Sequence, residues 1–194
     1  NSSSSGYTLA IDSIRFIPWV EPDSDLSSIL PEADTFVRGG QSNTNFGSGA
    51  QLIVKNASTE YDRISYIRFP LSSVTDSLVG ATLKLKVDAI GGEGAGVRTI
   101  EIRQLTSDSW DELTMTWNTR ASSSGTLIAT IDPQTVGEVH EVDVSDYVSQ
   151  ELSGDGSVSF VLIQPSGIAK YIGFGSRENT GNEPVLEVET VEPV

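Results

Sequence analysis

The sequence predicts an all-β fold, an antiparallel β-sandwich of jelly-roll type with one short helix. Apolar residues recur with period two, the runs are short, and Gly, Ser, Asn, Asp and Pro separate them. The clearest run sets Ala81, Leu83, Leu85 and Val87 against Thr82, Lys84, Lys86 and Asp88. That alternation describes a strand with one face in a core and one in solvent.

Taken in order, strands are expected at residues 9–16, 35–38, 51–55, 64–69, 81–88, 99–105, 127–131, 138–143, 157–164, 171–174 and 185–190. About eleven short strands with turn signals between them fit a sandwich. The helix is expected after Asp143, a capping residue, with Val144, Tyr147, Val148 and Leu152 on one face and Gly154 as its end. The glycine-rich stretch 91–96 lies between two strands, so it reads as a hairpin loop and not a dinucleotide motif.

Residues 31–194 are expected to form the sandwich, and residues 1–30 a linker with one strand. The serine run at the start has linker composition, and Pro18, Pro22 and Pro31 bracket an acidic connector around residues 21–25. The strand at 9–16 is either the tail of a preceding module or a strand recruited to the main sheet. Trp19 takes no role in this reading.

Composition excludes several function classes. The 194 residues suffice for one well-filled domain. No run approaches the ~18 apolar residues of a membrane helix. With no cysteine, disulfides, thiolate metal sites and cysteine catalysis are excluded. Twenty-seven acids against twelve bases give −15, which argues against nucleic acid or an anionic membrane as partner. Residues 34–70 reverse that sign: Arg38, Lys55, Arg63 and Arg68 outnumber Asp34, Glu60 and Asp62.

Catalytic patterns are missing too. There is no Gly-x-Ser-x-Gly elbow, and the single histidine, His140, sits inside an alternating run. The cations suggest ligand binding instead. On the run 64–69, Ile64, Tyr66 and Arg68 share one face, and on 171–177, Tyr171, Gly173, Gly175 and Arg177 share another. The expected surface is a continuous face of Arg63, Arg68 and Arg177 with Lys55, Tyr66 and Tyr171, joined by Arg38, Arg103 and Lys170 if their strands are neighbours. The competing reading is ordinary salt-bridging. Asp34, Asn43, Asn45 and Glu178 offer the oxygens a hard cation needs, or else the two asparagines shape a turn and Glu178 pairs with Arg177.

The segment Trp110-x-Glu112-x-x-x-Thr116-Trp117-Asn118 adds a family reading. With Ala33-Asp34-Thr35-Phe36-Val37-Arg38, Asn43-Thr44-Asn45-Phe46-Gly47, Asp62-Arg63-Ile64-Ser65-Tyr66-Ile67-Arg68-Phe69, Phe174-Gly175-Ser176-Arg177-Glu178 and Glu183-Pro184-Val185-Leu186-Glu187-Val188, it resembles the DNRLRE, or disaggregatase-related, domains, which overlap with carbohydrate-binding module family 96. Arg120 and Ala121 stand where that family often has a proline. The resemblance implies a secreted, monomeric, non-catalytic module that binds an acidic polysaccharide, alginate first, and holds a covalently linked enzyme on it. It also implies one structural Ca2+, and a fixed loop in which Trp110 and Trp117 pack on the sandwich. The rival readings are an adhesive module without a sugar site and, more remotely, a lyase using His140 beside Tyr66 or Tyr171.

Overall fold

The computed structural model describes residues 24–92, 98–165 and 170–193. The strand expected at 9–16, Trp19 and residues 93–96 of the glycine-rich loop lie outside the described residues. The described chain forms β1 (Ser24–Ile29), β2 (Ala33–Arg38), β3 (Gln51–Lys55), β4 (Arg63–Pro70), β5 (Ser77–Gly91), β6 (Ile100–Gln104), β7 (Leu127–Ile131), β8 (Val139–Asp143), α1 (Ser145–Leu152), β9 (Ser157–Ile163), β10 (Tyr171–Gly175) and β11 (Val185–Val191). All strand pairs are antiparallel, in the order β1-β11-β5-β10-β3-β4-β9-β6-β7, with β2 added on β4 and β8 on β5. This is the antiparallel sandwich that the period-two pattern predicts.

The main core lies between two curled faces of this sheet. Leu52, Val54, Leu83, Leu85, Ile172 and Leu186 from β3, β5, β10 and β11 meet Ile67, Phe69, Ile102, Phe160 and Leu162 from β4, β6 and β9. Each such side chain contributes about 1.5–3 kcal/mol by leaving water. On β5 the alternation places Lys84 outward, where it pairs with Glu187 at 2.8 Å and Glu141 at 3.1 Å.

Two strands depart from simple alternation. The five central residues of β9 are all buried, and Tyr66 and Ile67 of β4 are buried side by side. The cause is a second core on the outer face of these strands, built from Ala33, Val37, Tyr66, Leu105, Trp110, Met115 and Val161. The connection from β6 to β7 lies across that face. Its Trp110 Nε1 donates to Ser159 Oγ at 3.2 Å, and the Tyr66 hydroxyl donates to the Ala121 carbonyl at 2.9 Å.

Residues 24–29, expected within the connector, form β1, paired along its length with β11. Only Ile29 of this edge strand enters the core, so no apolar alternation marks it. Helix α1 starts one turn residue later than a cap at Asp143 would give. Val144 holds the cap position, and Asp143 Oδ1 accepts from the Ser145 N–H at 3.0 Å.

Candidate functional site

The sheet brings four of the expected residues into one row. Tyr171 of β10 lies opposite Lys55 of β3, Lys55 opposite Arg63 of β4, and Arg63 opposite Arg38 of β2. Cross-strand partners project to the same side, and neighbouring strands run about 4.8 Å apart. Lys55–Arg63 is the single register pair between β3 and β4, so the row sits at the corner where the sheet turns over.

Local sequence builds this corner. Gly39 and Gly40 follow Arg38, and a Cβ on Gly39 would lie 1.7 Å from the Thr59 carbonyl oxygen, so only glycine fits the approach. The segment after β3 is pinned on β9: the Asn56 N–H donates to Gln164 Oε1 at 2.8 Å, and Asn56 Nδ2 donates to the Gln164 carbonyl at 2.9 Å. Tyr61, exposed in the same segment, has Lys55 Nζ 5.3 Å and Arg38 Cζ 5.9 Å from its ring centre. A cavity of about 180 Å3 opens beside the row, lined by Lys55, Asn56, Arg63, Trp117, Ile163 and Gln164 among others.

The electrostatics at this corner are unusual for an acidic chain. Burial, then Arg63 and Arg38, depresses the Lys55 ammonium, and burial, then Arg38, depresses the Arg63 guanidinium. Among the described residues the arginine and lysine ion pairs belong to Arg68, Lys84, Arg103 and Arg177, not to Arg38, Lys55 or Arg63. Asp62, the one acid lining the cavity, accepts from the Ala57 N–H at 2.6 Å. Two donors are buried without an acceptor, Arg38 Nε and Gln164 Nε2, and Gln164 is only 4% exposed. Buried polar groups are almost always satisfied. This corner therefore presents surplus positive charge, with two unsatisfied donors buried behind it.

The continuous face of Arg63, Arg68 and Arg177 does not form. Arg63 and Arg68 differ by an odd step along β4 and so point to opposite faces. Arg68 lies 5.0 Å over Trp110, pairs with Glu32 at 2.5 Å, and donates to the carbonyls of Asp108 and Trp110. Tyr66 is fully buried in the second core, where burial pushes its hydroxyl pKa up. Arg103 is tied to Glu101 and the Gly125 carbonyl, and Lys170 is buried at 6% exposure. Gly175 is no open floor, because a Cβ there would lie 2.0 Å from the Asn182 carbonyl oxygen.

Arg177 belongs to a separate acidic cluster. Carboxylate oxygens of Asp34, Glu112 and Glu178 lie within 4.8 Å of one another. Arg177 Nη1 meets Glu112 Oε2 at 2.8 Å, the Arg177 N–H donates to Asp34 Oδ2 at 2.7 Å, and the Asp34 N–H donates to Glu112 Oε1 at 2.8 Å. Burial raises the Asp34 carboxyl to about 7, against the Arg177 N–H bond and with help from Glu178 and Glu112. Asn43 and Asn45 do not join these acids. Asn43 Oδ1 accepts from Asn118 Nδ2, and Asn45 Nδ2 donates to the Glu112 and Met115 carbonyls, so both hold the Trp110 loop in place. Glu112, not the asparagines, is the third side chain beside Asp34 and Glu178.

Sequence reasoning missed Tyr61, Gln164 and Glu112 as site residues. Tyr61 carries a signal, an aromatic inside a polar turn, whereas Gln164 simply ends an apolar strand. Trp117 was expected to be structural, and Arg120 stacks 3.9 Å over its ring.

Residues 25–190 match the model of carbohydrate-binding module family 96, and the chain belongs to that family. It is also similar to a gellan lyase from a Bacillus species, 25% identical over 167 residues. The match covers 83% of this chain but only 6% of the length of that relative.

Proposed function

We propose that this chain is a non-catalytic module that binds an acidic polysaccharide at the Arg38–Lys55–Arg63 corner and holds a covalently linked polysaccharide-degrading domain on it. One observation carries the reading: three clustered cations with no carboxylate at ion-pair distance, Asp62 acting on Lys55 only from farther off. A sugar carboxylate supplies the missing charge, and Arg63 can engage it with two parallel bonds. Alginate is the first polymer to test. The name of the Bacillus relative adds gellan. An extracellular setting follows from this reading, since such polymers lie outside cells, and tethering raises the local concentration of the partner domain on its substrate.

The clustering also weighs against a purely adhesive module, in which dispersed arginines would be paired to acids, as Arg68, Arg103 and Arg177 are here. A lyase centre finds no support either. His140 lies opposite Leu85, six residues along β5 from the Gly91 that faces Tyr171, a distance of about 20 Å at the rise of a strand. Affinity electrophoresis in alginate and gellan gels tests the function. Retardation of the wild type that Lys55→Ala and Arg63→Ala remove is the expected result. Equal migration of all three would overturn it.

We also propose a structural Ca2+ at Asp34, Glu112 and Glu178. Their convergent carboxylates are the hard oxygen donors that such an ion takes, and the ion would hold Asp34 charged despite its burial.

A further inference from the structure

The cavity at the cationic corner is lined by two unlike sets of side chains. Lys55 and Arg63 bring charge, and Ile64, Trp117 and Ile163 bring apolar surface. Ile64 lies two residues before Tyr66 on β4, Ile163 lies two residues after Val161 on β9, and Tyr66 pairs with Val161. Alternate residues of a strand share a face, so the two isoleucines continue the second core beyond its buried centre. Trp117 packs on the same core from the connection between β6 and β7. The second core therefore runs out into the cavity.

All three apolar side chains are only half-buried there. Trp110, by contrast, is 9% exposed, and its indole N–H is taken by Ser159. Trp117 is held by its own loop. Arg120 lies 3.9 Å over its ring and donates through Nη1 to the Trp117 carbonyl, and the Asn118 N–H donates to the Ser42 carbonyl at 3.1 Å. The ring is thus fixed with apolar surface left at the cavity, which water covers less favourably than an apolar partner does.

This lining selects a kind of ligand. An inorganic anion such as sulfate can meet Lys55 and Arg63 but offers nothing apolar to Trp117. A neutral sugar offers C–H groups and no charge. A uronate offers both, a carboxylate at one edge of a ring whose C–H groups form an apolar face. The volume, about 180 Å3, lies below the ~300–1,000 Å3 of a drug-sized site and suits about one sugar ring.

We propose that Trp117, with Ile64 and Ile163, contacts the ligand as the apolar lining that lets this corner read an acidic sugar and not an anion alone. The inference rests on the reading of Lys55 and Arg63 as the anion site. Every unit of a polyuronate carries the same pair of features, so any of them can enter.

NMR titration of the isotope-labelled chain tests this with alginate and gellan oligosaccharides and, at matched ionic strength, with sodium sulfate. The indole N–H signal of Trp117, assigned by its absence in Trp117→Phe, should shift with the oligosaccharide that binds, while that of Trp110 stays in place. Trp117→Ala should weaken that oligosaccharide roughly tenfold, the effect of about 55 Å2 of apolar surface kept from water, and leave sulfate unchanged. Arg63→Ala should weaken both. Oligosaccharide binding that moves the backbone signals of Lys55 and Arg63 but not the Trp117 indole would overturn the proposal and leave the anion site standing. So would a folded Trp117→Ala that binds as the wild type does, or one that loses both ligands alike. If Trp117→Ala does not fold, the wild-type titration decides. Signals of Lys55, Arg63 and Trp117 that ignore both oligosaccharides would remove the anion site itself, and the role of Trp117 with it.

Discussion

At the scale of single residues, the arginines divide by what surrounds them. Arg63 has no carboxylate partner, and its loss should be felt in binding. A charge-assisted contact is worth about 1.5–3 kcal/mol, so Arg63→Ala should weaken polysaccharide binding roughly ten- to a hundredfold with an unchanged melting curve. Arg68 is built into the Trp110 loop by an ion pair, two carbonyls and a ring. Arg68→Ala should do the reverse, keeping affinity and lowering Tm, at about 2–4 °C per kcal/mol for a chain of this size. Calorimetry on the two variants separates the roles. Loss of binding in Arg68→Ala with an intact Tm would restore the wider face that the sequence suggested.

Asp34 gives a pH prediction of definite sign. Its folded pKa, about 7, lies above its ordinary value of 3.8. Between these values the native state holds a proton that the unfolded state releases, so the contribution of Asp34 to stability is full at low pH and falls as pH rises toward 7. One proton limits the slope to about 1.4 kcal/mol per pH unit. Glu112, raised mainly by burial, adds with the same sign. Asp34→Asn should flatten the decline in urea titrations between pH 4 and 8. Saturating Ca2+ should flatten it in the wild type, raise Tm at pH 8 through its preference for the native state, and do neither in Asp34→Asn. A wild-type Tm at pH 8 that ignores both Ca2+ and EDTA contradicts the metal proposal.

Among the elements, the connection from β6 to β7 carries the most consequence. It covers β4 and β9, supplies Glu112 to the acidic cluster, and brings Trp117 and Ser123 to the cationic cavity. Trp110→Ala would empty the centre of the second core and should cost about 3–5 kcal/mol, measured by denaturant unfolding. Trp110→Phe keeps much of the apolar area and loses the bond to Ser159, so it should cost less. Equal stability of Trp110→Ala and wild type would mean that the loop is not packed on the sheet. The same loop explains the limits of the sequence reading. Strands such as β3 and β5 were legible because one face meets solvent and period two follows. On β4 both faces are covered, so alternation separates Arg63 from Arg68 without telling which of them is sealed. Edge strand β1 escaped notice because five of its six residues are exposed. The row Arg38–Arg63–Lys55–Tyr171 was legible only as candidate residues, since its members lie on four strands and strand order decides whether they meet.

For the molecule as a whole, a net charge of −15 opposes a polyanionic ligand at long range. Long-range repulsion is screened over about 8 Å at physiological salt and about 3 Å at 1 M, whereas partly buried contact pairs are screened much less. Opposed effects follow as salt rises: association becomes easier as repulsion fades, and the contact itself weakens modestly. Net affinity should therefore change far less with salt than for a basic protein on a polyanion. A steep fall would mean that a diffuse field holds the ligand, and not the corner site. The most direct test of the central claim is titration calorimetry of alginate and gellan oligosaccharides into wild type and the Lys55→Ala/Arg63→Ala double variant. The account predicts saturable binding by the wild type to at least one of them and loss of that binding in a double variant with an unchanged melting curve. Undiminished binding by the folded double variant would contradict it.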